Sequence, residues 1–452
     1  MTHVLMLCHD QHLDRRVVAQ AVTLISRGHC VHLMALSFDG QTRHEQTPEG
    51  IALTRIGLNH IIPQNPTYKG YMRRQGRLND VLNWGANRYP RQLGMFQRLF
   101  TYGSRLNWGW YRALLLMRYQ NLQLHDPLPF TQAFLRHGLE APAELVQVHD
   151  LPALEAGTQL AAAWGVPLVY DAHELYPEQK SFSWVQRRIC SRAEAEQITK
   201  ADLVFAVNES IGAEMARRYQ IDKPITLLNA IDPCTAFDPE QHYDLLREKL
   251  GLGAERRILL FQGGFAPYRN LEALVQAMDH VTVADVDLVM LGFGPFGEVL
   301  KGRAERLNLL GTRVHFLPAV PQDELLQHSA SADLGIIPYP HVDLNSYYCT
   351  PNKLFEFIQA GLPILANDSP ELNRFVHLNA FGHSARMNNV RNIARAIDTA
   401  FTSANFSMWR QNLRLKRSTF AWRSQDIIYA DAMSRFLSVA TANPEMVSGG
   451  IE

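Results

Sequence analysis

Thr350-Pro351-Asn352-Lys353-Leu354-Phe355-Glu356-Phe357-Ile358-Gln359-Ala360-Gly361-Leu362-Pro363 reads as one short helix with both ends marked. Thr350 suits the N-cap, and Pro351 suits the first helical position, where a missing N–H costs nothing. Gly361 is the expected left-handed stop, and Pro363 prevents resumption. Leu354, Phe357, Ile358 and Gly361 share one face at helical spacing and are expected to pack inward. Lys353 and Glu356, three residues apart, lie side by side on another face. The start of such a helix offers free N–H groups and a positive dipole end, here beside a lysine. A cation for phosphate, with a carboxylate one turn on to accept from hydroxyls, suits a nucleotide sugar. The plain alternative is a capped surface helix whose Lys–Glu pair is merely solvated.

Around this helix the chain alternates strand and helix. Ala332–Pro338 and Pro363–Ala366 read as the flanking strands. Upstream, Ile258–Phe261 is a short apolar run broken by Gln262-Gly263-Gly264 and followed by a helix from Leu271. Leu288–Leu291 ends in Gly292-Phe293-Gly294-Pro295, and Val314–Leu317 follows. An earlier series begins at Val4–Cys8, continues through a polar loop and a helix to Ile25, and resumes at His29–Leu36. It goes on with Leu145–Val148 running into His149-Asp150, and Val166–Tyr170 running into Asp171-Ala172-His173-Glu174. Continuous apolar runs of this length are strands of a parallel sheet buried on both faces. The first loop lacks G-x-G-x-x-G, which argues against a dinucleotide there. Asp14, Arg15 and Arg16 stand where the next helix begins, at the carboxyl end of the first strand, the edge where open α/β sheets bind ligands.

The fold class expected is α/β, with two Rossmann-like domains and a cleft between them as the default ligand site. Residues 1–232 form the first domain, 233–406 the second, and 407–452 a helical tail. The 452 residues carry 44 basic and 44 acidic groups, so polyanion binding must come from local patches. Five scattered cysteines without C-x-x-C indicate neither a disulfide framework nor a zinc site and fit a reducing compartment. No apolar run reaches the roughly 18 residues needed to span a bilayer. The expected location is cytoplasmic.

Residues 66–120 differ in character. They hold Lys69, Arg73, Arg74, Arg77, Arg88, Arg91, Arg98, Arg105, Arg112 and Arg118 against the single acid Asp80, with Trp84, Trp108 and Trp110 interleaved. One reading is a docking surface for anionic lipid, which would place the protein at the inner face of the plasma membrane. A second is a site for an anionic glycan or lipid-diphosphate acceptor. A third is a basic helical hairpin with its aromatics in the core. No nucleic-acid motif accompanies the segment, so nucleic acid is not an expected partner.

Strand ends are where an α/β protein exposes chemistry. Here they carry His149 and Asp150, then Asp171, His173 and Glu174, then Gly263 and Gly264, then Gly292 and Gly294. Lone residues of this kind often cap or pack, but two His-plus-acid pairs at successive strand ends favour a site. Arg269 follows Gly264 by five residues, within reach of a phosphate at the next helix.

The order of these motifs resembles the retaining GT-B glycosyltransferases of family 4, especially bacterial enzymes that build surface polysaccharides. The matching pieces are Val148–Asp150, Val169–Leu175, Phe261–Gly264 with Tyr268–Glu272, Leu291–Pro295, Ala332–Pro338 and Pro351–Glu356 with Ala360–Pro363. The resemblance runs from about residue 1 to 435. It implies a sugar transfer from a nucleoside diphosphate sugar, of UDP or GDP type, to a carbohydrate or lipid-linked acceptor, with no cofactor and no obligatory metal. It also implies a tail helix crossing back to the first domain. On the donor side it places Gly263, Gly264, Arg269, Gly292, Gly294, Asn352, Lys353 and Glu356, with Glu356 accepting from ribose hydroxyls and Arg269 and Lys353 facing the diphosphate. His149 matches the family's active-site histidine, with Asp150 and His173 as further catalytic candidates. Asp14, Arg15, Asp171 and Glu174 fall on the acceptor side. Tyr348 stands where many members carry a glutamate, and Gly264 where many carry an arginine. Backbone N–H groups of Asn345–Tyr348 are the expected replacement contact to the donor sugar. A GT-B nucleotide-sugar epimerase and a non-catalytic scaffold protein are the competing functions.

Overall fold

The computed structural model describes residues 1–57, 66–89, 92–118, 130–234 and 236–437. Arg91, residues 119–120 of the basic segment and residues 438–452 of the tail lie outside this set. Strands β1 (His3–Cys8), β2 (Cys30–Leu36), β3 (Arg43–Gln46), β4 (Ala52–Ile56), β5 (Leu145–His149), β6 (Leu168–Ala172), β7 (Leu203–Ala206) and β8 (Ile225–Thr226) form one sheet, ordered β3-β4-β2-β1-β5-β6-β7-β8. Strands β9 (Arg257–Gly264), β10 (Val286–Phe293), β11 (Val314–Pro318), β12 (Leu334–Ile337), β13 (Ile364–Asn367) and β14 (Gly382–Ala385) form a second sheet, ordered β11-β10-β9-β12-β13-β14. The registered pairs are parallel except for the β3–β4 hairpin.

Two compact units emerge from the packing. The first comprises Met1–Pro177, Phe182–Val204 and Met433–Glu452; the second comprises Glu178–Ser181 and Phe205–Ala432. Both are Rossmann-like, as the alternation of elements requires.

The second sheet shows why its strands read as unbroken apolar runs. Leu259 and Phe261 of β9, with Leu288 and Met290 of β10, enter one core cluster, on which the helices Leu271–Ala277 and Val390–Phe401 pack. The intervening residues Ile258, Leu260, Val289 and Leu291 enter another, shared with Leu354, Phe355, Phe357 and Ile358. Every residue has a buried destination, so no polar alternation appears.

The helix that opened the sequence reading runs Asn352–Gln359. Its start differs from expectation. Pro351, with extended backbone, is the N-cap, and the Thr350 hydroxyl instead accepts from Asn208 Nδ2 at 3.2 Å. The stop is as read: Gly361 has φ +68°, and Leu362 N donates to Phe357 O at 3.0 Å. The solvated-pair alternative is contradicted, because Lys353 and Glu356 are buried, at 5% and 8% exposure.

Candidate functional site

Glycines first shape a pocket in the second unit. At the carboxyl ends of β9 and β10, Gly263 faces Gly292 in register. A Cβ on Gly292 would lie 2.0 Å from Gly263 O, so this crossing admits glycine alone. Gly294, at φ +128°, meets Phe265 O in the same way, at 2.5 Å, and its role is this close packing. Gly263, at φ +115°, leaves open space in which the nearest atom is Lys353 Nζ, 3.6 Å from the position of a Cβ. The absent side chain therefore brings the strand end against the ammonium.

These glycines open onto a cavity of about 410 Å³. Of the donor-side residues expected, Gly263, Gly264, Arg269, Gly292, Asn352, Lys353 and Glu356 line it, and Gly294 does not. The sequence reading missed Gln262, Tyr339 and the apolar wall of Leu291, Ala319, Val320 and Leu325. Lys353 Nζ donates to Tyr339 Oη at 2.9 Å and sits 3.7 Å from the centre of the Phe261 ring. Among the described residues it forms no ion pair. Burial, with the Arg269 charge nearby, pushes the Lys353 ammonium well below the usual lysine range. Burial likewise raises the Tyr339 phenol to about 12. Glu356 is fixed from behind: Gln262 Nε2 donates to its Oε2 at 2.6 Å, and Ser329 Oγ donates to Gln262 Oε1 at 2.7 Å.

Arg269 lies between two non-glycine residues with left-handed backbone, Tyr268 (φ 64°) and Asn270 (φ 63°). Asn270 Nδ2 holds this turn by donating to Pro338 O at 3.1 Å and Met387 O at 2.8 Å. Arg269 Nη1 then donates to Gly264 O at 2.8 Å. Among the described residues, two cations thus meet one cavity without a carboxylate in an ion pair with either, an arrangement that favours an anion. The short helix Leu344–Tyr348 narrows the expectation for the N–H groups of Asn345–Tyr348. Ser346 N donates to Asp343 Oδ1 at 2.5 Å and Tyr347 N to Asp343 O at 3.0 Å, so those two groups are committed to capping.

A second cluster lies in the first unit, at the ends of β5 and β6. Asp171 is fully buried. Arg16 Nε and Gln20 Nε2 donate to its Oδ2 at 2.9 and 2.6 Å, and Arg16 Nη2 donates to Oδ1 at 2.5 Å. His149 Nδ1 lies 3.3 Å from Asp171 Oδ2 and 3.1 Å from His173 Nε2. His173 Nε2 lies 3.2 Å from Asp171 Oδ2, and its Nδ1 lies 3.6 Å from Asp150 Oδ2. Asp150 occupies a left-handed backbone (φ 61°), and its Oδ1 accepts from His173 N at 2.9 Å.

Burial lowers His149, against the pull of Asp171. Burial opposes charge on His173 as well, yet Asp150 and Asp171 outweigh it and raise His173 to about 9. Burial, with Glu174 adding to it, lifts Asp150 to about 8 against the pull of His173. Asp171 stays well below the usual carboxylate range, because Arg16 overcomes the burial that would raise it.

The structure therefore brings His149, Asp150, Asp171 and His173 together, with Glu174 half-buried beside them. His149 is 1% exposed, whereas the His173 side chain reaches solvent. Asp14 serves as N-cap of the helix Arg15–Ser26, accepting from Arg16 N at 2.8 Å, and Arg15 is half-buried. Of the three residues expected at this sheet edge it is Arg16 that enters the cluster, with Gln20 and Gln147, which the sequence reading did not assign. Gln147 was findable as a polar residue inside an otherwise apolar strand. His149, Asp171 and His173 have metal-like spacing, their ligand atoms within 4.8 Å. The Arg16 charge on Asp171 opposes a cation there.

Two family models match the chain. One described as "Glycosyl transferase 4-like domain" covers residues 13–228, and one described as "Glycosyl transferases group 1" covers 256–403. A D-inositol 3-phosphate glycosyltransferase of Corynebacterium efficiens is 24% identical over 229 residues, 47% of this chain and 52% of that protein. The chain thus spans about half the length of the curated relatives it matches. Among solved structures, a sucrose-phosphate synthase from Thermosynechococcus elongatus superposes with TM-score 0.66 at 16% identity, over 96% of this chain and 99% of that one. HepE of Anabaena, solved with UDP and glucose, gives TM-score 0.61 at 15% identity, over 96% and 100%. With both units matched, the chain belongs to the family-4-like, group 1 glycosyltransferases and has the GT-B fold.

Proposed function

We propose that this protein transfers a sugar from a nucleoside diphosphate sugar to a carbohydrate or lipid-linked acceptor with anomeric retention. The setting we assign is bacterial cell-surface polysaccharide synthesis, in the cytoplasm at the inner face of the plasma membrane. The observation that carries the donor assignment is the buried Lys353, without an ion pair among the described residues, sharing a 410 Å³ cavity with Arg269 and Glu356. In this reading the diphosphate lies against Lys353, Arg269 and the start of the helix Asn352–Gln359. These groups stabilise the charge that develops on the leaving diphosphate as the glycosidic bond breaks. Glu356 accepts from ribose hydroxyls, and the wall of Ala319, Val320 and Leu325 receives the base. HepE, solved with UDP, supports a uridine donor, and a guanosine donor is the other type considered. In the first unit, His149 would orient the sugar or help shuttle the acceptor proton, with Asp171 and His173 setting its position.

The test is paired. Glu356→Ala and Arg269→Ala should each abolish most turnover of nucleoside diphosphate sugar and weaken nucleoside diphosphate binding in calorimetry. Turnover at the wild-type level in both would remove the site. Product formation without any acceptor would assign the epimerase instead.

A further inference from the structure

The helices Pro66–Arg88 and Leu93–Arg118 of the first unit form a hairpin. Its seam joins a buried aromatic pair, Tyr71 stacked on Tyr111 at 4.7 Å, to a polar network. Asn107 is buried and donates from Nδ2 to Tyr71 O at 3.2 Å and to Gln75 Oε1 at 3.1 Å, while its Oδ1 accepts from Arg74 Nε at 2.7 Å. Gln75 Nε2 donates to Ser104 Oγ at 2.8 Å. Two glycines let the helices close: a Cβ on Gly85 would meet the Phe96 ring at 2.3 Å, and one on Gly103 would meet Leu78 at 2.8 Å. The outward face carries a further set of apolar residues. Met95, Leu99, Tyr102, Leu106 and Trp110 follow one another at helical spacing, and each is 50–65% exposed. They draw one stripe along the second helix, roughly 22 Å long at 1.5 Å per residue. Val81 and Trp84 are exposed on the first helix.

We infer that this hairpin seats the protein on an anionic lipid bilayer. A continuous exposed apolar stripe marks an interaction surface. Its charge selects the occupant. Lys69, Arg73, Arg77, Arg88, Arg98 and Arg105 are exposed, and Asp80 is the only acid in the segment. A second copy of the hairpin would set like charge against like, whereas anionic headgroups complement it. The apolar stripe enters the headgroup–acyl boundary and the arginines stay among the phosphates. No helix among the described residues is long and apolar enough to cross a membrane, so the contact lies on the surface. The inference goes beyond the donor-site reading and is independent of it.

The test is vesicle sedimentation of the full chain without nucleotide. Vesicles of phosphatidylcholine alone are compared with vesicles containing a quarter phosphatidylglycerol. Wild type should pellet with the anionic vesicles, and increasingly less as salt is added. Leu99→Asp with Leu106→Asp should weaken vesicle affinity by roughly tenfold or more, since two exposed leucines lose their apolar contact. Arg98→Glu with Arg105→Glu should weaken it roughly fivefold for each charge removed. All four positions are exposed, and an unchanged thermal melt confirms that each variant is folded. Wild type that ignores anionic vesicles, or either double variant that binds them as well as wild type, overturns the inference. So does a wild-type dimer in light scattering that the aspartates dissociate, since a second copy would then be the occupant.

Discussion

Lys353 is the residue whose chemistry changes most if the pocket holds a diphosphate. Burial and Arg269 depress its ammonium, which weights Lys353 toward its neutral form relative to a free lysine. A dianion placed against it favours the charged form, so binding is linked to proton uptake over the pH range in which the free site titrates. Calorimetry of UDP across a pH series, in buffers of differing ionisation enthalpy, should show that uptake, and Lys353→Met should abolish it along with most of the affinity. In the first unit, Arg16 and Asp171 form an ion pair with both side chains fully buried. Removing one partner strands the other charge, so Arg16→Met should cost roughly 3–5 kcal/mol in urea unfolding. His173 works in the opposite sense to Lys353. Its folded value, about 9, lies above that of an unfolded histidine. The stability it contributes is therefore complete below about pH 6.5 and is lost as pH rises toward 9. His173→Gln should flatten the fall in stability over that window. Arg16 shows where reading residues one by one stops. The residue it pairs with is 155 positions away, and nothing local marks an arginine for burial.

Among the elements, those buried on both faces were legible. Val4–Cys8 and Ile258–Phe261 have no solvent side, so their composition alone identifies them. The strand Arg43–Gln46 was not, because all four residues are exposed and only backbone pairing to Ala52–Ile56 makes it a strand. The helix Asn352–Gln359 was read correctly at its glycine stop and displaced at its start. The stop depends on one backbone conformation, whereas the start depended on which partner Thr350 chose. The β9–β10 crossing permits the sharpest test at this scale. Gly292→Ala drives a methyl into the Gly263 carbonyl, which cannot move without breaking register. The unfolding free energy from denaturant titration should fall by the upper part of roughly 1–3 kcal/mol, and nucleotide affinity should fall with it.

At the level of the whole molecule, two Rossmann-like units with separate cores are expected to unfold in separable steps. A ligand that binds only one native unit stabilises that unit by about 2.7 kcal/mol at a hundredfold excess over Kd. In differential scanning calorimetry, the preferred nucleoside diphosphate should raise one transition by roughly 5–10 °C and leave the other in place. A uniform shift of both would mean that the units melt as one. The alternation of elements announced two units, and the resemblance implied a tail returning to the first, but nothing in the sequence marks the point of return at Met433, which leaves residues 406–432 with the second unit. That discontinuity has a practical consequence. No single cleavage can release the amino-terminal half intact, because a fragment stopping at Val204 leaves behind Arg435, whose Nη2 donates to Asp202 O at 2.8 Å. Such a fragment should express poorly until the stretch that begins at Met433 is grafted behind it.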